Sequence, residues 1–205
     1  KLHDIDIFIK DPLPEDISAD FVLKYISKRI PYYLLKGVDM VYIGQFKQLV
    51  DRQINALFED GAIYITNEQD NDKDMIDDII HEVAHSIEHL YGDLIYDDGS
   101  VAREFLGKRK RLFSNLMHYR HNPPVEMQIE LEFSKTIDDY FYKEVGYEAI
   151  WNLINGLFPS PYAATSLREY FARGFEEYVM ENKRDLKRVC PVLFSKIEQL
   201  YEMED

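Results

Sequence analysis

The stretch MIDDIIHEVAHSIEH, Met75 to His89, sets the reading of the whole chain. Apolar residues at Met75, Ile76, Ile79, Ile80, Val83, Ala84 and Ile87 recur at helical spacing and cover most of a helix circumference, which predicts a largely buried helix. Acidic residues crowd its start, where the positive end of a helix dipole favours them. Within it, His81, Glu82 and His85 form the pattern HExxH. Residues four apart on a helix share one face, about 6 Å along the axis, so His81 and His85 can offer two imidazole nitrogens to one ion. Glu82, about 100° further round, then projects beside that ion rather than onto it. The chemistry this suits is hydrolysis. Zinc lowers the pKa of a bound water from about 15.7 toward 7, and a neighbouring carboxylate removes its proton as the water attacks a carbonyl.

Two histidines leave a catalytic zinc site incomplete, because it takes three protein ligands and one open position. His89 is nearest in sequence. It lies about 12 Å from His81 along a straight helix, too far for both to reach one ion, and no glycine breaks the helix between them. His89 therefore reads as a surface residue or one supporting a ligand, and Glu88 as a solvated helix position. A later helix is the other source. In PSPYAATSLREYFARGFEEYV, Pro159 to Val179, a cap at Thr165 or Ser166 opens a helix with a face of Leu167, Tyr170, Phe171, Gly174, Phe175 and Tyr178. Glu169 flanks that face in the first turn, but periodicity alone does not separate it from Glu176 and Glu177.

Upstream, Ala19 to Leu35 has helical spacing after a cap at Ser18, and Val38 to Phe46 is rich in strand formers. The run NALFEDGAIYIT places two short apolar segments around Asp60-Gly61, a dipeptide that favours a tight hairpin turn. The strand after the turn, Ala62 to Thr66, reads as a sheet-edge strand, with an ordinary interior strand nearly as well supported. Its residues Ile63, Tyr64 and Ile65 are then candidates to hold an extended peptide by strand addition. Beyond Gly92 helices are expected over Val101 to Tyr119, Val125 to Val145, Tyr147 to Leu157, Ser166 to Glu181 and Asp185 to Met203. Strands first and helices after make the fold class α+β, with a small N-terminal mixed sheet.

The 205 residues suit one core, and no linker-like segment divides them, so one domain over 1–205 is expected, with 1–18 as an extended N-terminal segment. A net charge of −14 argues against a nucleic-acid partner; it reads first as charge that keeps the chain soluble, and second as an acidic rim able to attract a peptide or protein substrate of basic character. The one basic run, Lys108 to Arg111, reads as a solvated helix face. A lone cysteine, Cys190, allows no intramolecular disulfide, no apolar stretch approaches a membrane span, and the opening residues lack the pattern of a signal peptide. Localisation stays open, and a monomer is the expected state.

HEVAH, then Tyr162, then Glu169 in EYFARGF, resembles the metallopeptidases related to anthrax lethal factor and the clostridial Pro-Pro endopeptidases. In that family a HExxH helix is followed by a tyrosine and, seven residues later, by a ligating glutamate; Tyr162 and Glu169 have this separation. The polar, lysine-rich ENKRDLKR and a proline before a final amphipathic helix, at Cys190-Pro191, also have counterparts there. The resemblance implies a zincin-like gluzincin in which His81, His85 and Glu169 hold one zinc ion. It further implies that Glu82 is the general base and that Tyr162 donates a hydrogen bond to the oxyanion. The family often places an acid four residues after the ligating glutamate, where it orients a ligating histidine. This chain has Arg173 there, which leaves that part to Glu176, Glu177 or an acid from elsewhere. A catalytically silent zinc-binding, toxin-associated module and an intracellular regulatory protease cutting a repressor-like partner share these features.

Overall fold

The computed structural model describes residues 2–180 and 183–203. They form two compact units, residues 2–92 with Met203, and residues 93–202.

The first unit holds a four-stranded sheet in the order β1 (Asp6–Ile9), β2 (Met40–Ile43), β4 (Ala62–Ile65), β3 (Ala56–Glu59). The first three strands in that order run parallel, and β3 pairs antiparallel with β4. The Asp60-Gly61 turn forms as expected: both residues adopt positive φ, 49° and 79°, and the closing pair is Glu59 with Ala62. Alternation decides which side of the sheet is dry. Val41 and Ile43 register with Ile63 and Ile65, and all four are fully buried. On the other face Tyr42 and Tyr64 stack at 5.1 Å.

One expectation is overturned here. Strand β4 is interior, with β2 on one side and β3 on the other, so Ile63, Tyr64 and Ile65 have no open edge to offer a peptide. The outer strand on that side is β3. Strand β1, which was not among the expected elements, lies within the expected N-terminal segment and gives β2 its second neighbour.

Around the sheet, α1 (Ala19–Arg29) is capped by Ser18, whose hydroxyl accepts from Phe21 N–H. It stops well before Leu35, because Pro31 disfavours a helical Ile30 and the chain continues as a short 3₁₀ turn, Tyr32–Leu35. After the short α2 (Lys47–Arg52), α3 (Asp72–Tyr96) carries the HExxH motif. Asp72 at its start accepts from Ser18 N–H at 2.8 Å. The helix kinks at Tyr91, whose backbone leaves the helical region, and the first unit ends at Gly92.

The second unit is helical: α4 (Ser100–His118), α5 (Lys135–Asp139), α6 (Tyr147–Ile154), α7 (Leu167–Val179), α8 (Lys183–Val189) and α9 (Pro191–Tyr201). The helix expected over Val125 to Val145 is interrupted. Glu130 turns its carboxylate onto the N–H groups of Leu131 and Glu132, and α5 restarts only after the Ser134 cap, followed by a π-helical turn over Tyr140–Val145. The long final helix likewise splits at Cys190, since Pro191 lacks an N–H and begins a new helix. The polar turn at Glu181-Asn182 lies outside the described residues.

The basic run is also corrected, for Lys108 and Arg109 are buried. Arg109 Nη1 donates to the Glu130 carbonyl at 2.8 Å, and Lys108 Nζ donates to the Val189 carbonyl. Burial pulls the Arg109 guanidinium down to about 10, against the opposing pull of Glu130 and Glu126. Among the described residues no helix is long and apolar enough to cross a membrane.

Candidate metal centre

In the first unit, α3 brings His81, Glu82 and His85 together. The two imidazole rings stand 4.9 Å apart, nearly perpendicular at 87°, one helical turn from each other. Val83, Ala84 and Ile87 are fully buried, which fixes the rotation of the helix and with it the direction of both histidines.

Glu82 is 7% exposed, and its Oε2 accepts a hydrogen bond from the Phe58 backbone N–H at 2.7 Å. Phe58 belongs to β3 and faces Ile63 across the ladder, one place beyond the closing Glu59–Ala62 pair. In a two-residue hairpin that place turns its N–H away from the partner strand. A carboxylate is thereby held by the outer strand of the sheet. Nothing in the sequence between residues 58 and 82 signals this bond, because it depends on how the strand sits against the helix.

His85 has its own carboxylate. Its Nδ1 lies 2.8 Å from Glu88 Oε2, with the two side chains 11% and 6% exposed. Glu88 is thus buried, contrary to its reading as a solvated position. The amphipathic pattern misassigned it because the apolar residues of α3 surround the helix so widely that a neighbouring polar position is covered as well. His89 is exposed and lines a cavity with Phe58, Asp39 and Asp60.

In the second unit, Ser166 caps α7 by accepting from Glu169 N–H at 3.2 Å, which sets Glu169 in the first turn. Tyr162 begins a 3₁₀ turn just upstream, and its carbonyl accepts from both the N–H and the hydroxyl of Thr165. Its side chain is 37% exposed, and the Arg173 guanidinium lies 5.8 Å from the ring centroid. Arg173 also grips both carboxylate oxygens of Glu176, at 2.9 and 2.8 Å. Tyr147, not singled out from sequence, donates to Asp138 at 3.1 Å. Burial, then Asp138, with smaller effects from Tyr162 and Glu169, hold its phenol far above the ordinary range.

The donor chemistry suits zinc. Two imidazoles with one carboxylate are a donor set of catalytic zinc sites, and within the first unit His81 and His85 present the two imidazoles side by side. Because Nδ1 of His85 faces Glu88, a cation at this residue would bind through Nε2. Compared with known protein families, with curated proteins and with solved structures, the chain matches none.

Proposed function

We propose that this chain is a zinc-dependent endopeptidase of the gluzincin type, zincin-like in fold, in which His81, His85 and Glu169 hold one zinc ion. The observation that carries the reading is the arrangement on α3: two perpendicular imidazoles one turn apart, with a buried carboxylate beside them anchored to strand β3. The small mixed sheet with an antiparallel outer strand, followed by that helix, supports the zincin-like reading.

When bound, zinc supplies Lewis acidity, polarising the scissile carbonyl and acidifying water. Glu82 takes the proton from the attacking water and passes it to the leaving amine as the carbon–nitrogen bond breaks. The Phe58 N–H occupies one carboxylate oxygen and leaves the other for this transfer. Tyr162, with its partly exposed phenol, donates a hydrogen bond to the oxygen on which negative charge grows, an interaction stronger in the transition state than in the substrate. The substrate is a peptide or protein.

The test is Glu82→Gln. Zinc content at one ion per chain should persist while cleavage of a peptide library falls by at least about 10²-fold, the usual contribution of a general base. Chelation should abolish cleavage by the wild type, and added zinc should restore it. Undiminished cleavage by Glu82→Gln would reject the mechanism; unit zinc with no peptide cut by the wild type would favour the silent module.

A further inference from the structure

We propose that Glu88 is a positioning residue for the metal centre, fixing the tautomer and the ring orientation of His85; the inference rests on the zinc reading above. His85 Nδ1 and Glu88 Oε2 are 2.8 Å apart, three residues apart on one helix, in side chains 11% and 6% exposed. A carboxylate oxygen accepts hydrogen bonds, so in this contact Nδ1 carries the hydrogen and donates it. Nε2 then holds the lone pair. In water neither imidazole nitrogen has such a fixed partner, and each can present the wrong one.

Burial makes the contact specific. An exposed histidine–carboxylate pair three apart would hold its geometry weakly, since solvent competes for both groups. Here Ile87 beside Glu88 is fully buried, as are Val83 and Ala84, so this stretch of the helix is packed and both side chains of the pair are largely shielded from water. Burying even a paired carboxylate is often no better for stability than apolar residues in its place, which makes a purely stabilising role a poor account of Glu88. Fixing a ligand is a better one, because carboxylates behind metal-binding histidines set their tautomer and raise their basicity.

The second unit points the same way. The position where the resembled family often carries an orienting acid is Arg173 in this chain, and Arg173 binds Glu176 through two hydrogen bonds. Glu177 lines a separate cavity with Trp151 and Cys190. Glu88 touches a proposed ligand directly.

Zinc affinity, measured by chelator competition, should fall about 10- to 100-fold in Glu88→Ala. Glu88→Gln, which keeps an acceptor oxygen without the charge, should fall between. Nitrogen NMR of the metal-free protein should show His85 protonated on Nδ1 in the wild type and shifted toward Nε2 protonation in Glu88→Ala. Loss of packing alone would leave that signature in place. Unchanged affinity, or a wild-type His85 protonated on Nε2, overturns the inference. His85→Ala separates the two levels. If it abolishes zinc binding while Glu88→Ala has no effect, only the positioning role falls; if it leaves zinc binding intact, the metal centre falls with it.

Discussion

The Glu82 carboxylate is bound at 2.7 Å by the backbone N–H of Phe58, so the proposed general base is tethered to the outermost strand of the sheet. This bond joins catalysis to stability. Replacing Glu82 with alanine leaves a main-chain donor without its acceptor in a site only 7% exposed. We expect Glu82→Ala to lose about 1 to 3 kcal/mol in chemical denaturation, the cost of an orphaned buried polar group. Glu82→Gln should lose less, because its amide oxygen still accepts. Equal stability of Glu82→Ala and wild type would show that the tether is energetically empty.

Cys190 provides a pH-dependent marker in the second unit. Burial raises its thiol to about 11 from a usual value near 9, with the Lys108 ammonium opposing the shift. The folded state thus holds the proton more tightly than the unfolded chain. Its contribution to stability is complete below pH 9 and is lost as pH rises toward 11. Relative to Cys190→Ala, the wild type should lose about 2 to 3 kcal/mol across that window. Unfolding curves at pH 8, 9, 10 and 11 measure it, and parallel pH profiles for the two proteins would contradict it. At neutral pH the thiol should resist aromatic disulfide reagents until the protein unfolds.

Gly174 is expected to tolerate no side chain. A Cβ there would collide with Leu193 Cδ2 and stand 3.1 Å from Leu193 Cγ, in a side chain that is fully buried on α9. Alanine is the better helix former by up to about 1 kcal/mol, but overpacking a core costs about 1 to 3 kcal/mol. Gly174→Ala should therefore lower the thermal midpoint. Truncating the obstacle, in Gly174→Ala/Leu193→Ala, should give a double mutant more stable than the sum of the two single losses. Strict additivity would place the strain elsewhere.

Local chemistry explains what could be read from sequence alone. A two-residue turn follows from Asp60-Gly61 because few other residues adopt two successive positive φ angles, and Ser18 and Ser166 mark helix starts because their hydroxyls accept from the first free N–H groups. The shared face of His81 and His85 needs only the pitch of a helix.

Position relative to distant chain is another matter. Whether β4 was edge or interior depended on β2, about twenty residues earlier, pairing along its other side. Periodicity shows which face of a strand is buried and is silent about its neighbours. The same limit hid Glu88 and Arg109: a charged residue on a helix looks solvated until it is covered and finds a partner, His85 of the same helix for the first and the Glu130 carbonyl for the second. HExxH in sequence determined which residues could offer ligands and a base. Only the tertiary structure decided that the base is tied to β3, a partner chosen by packing rather than by spacing along the chain, and that the His85–Glu88 pair, three apart on one helix, is covered from water.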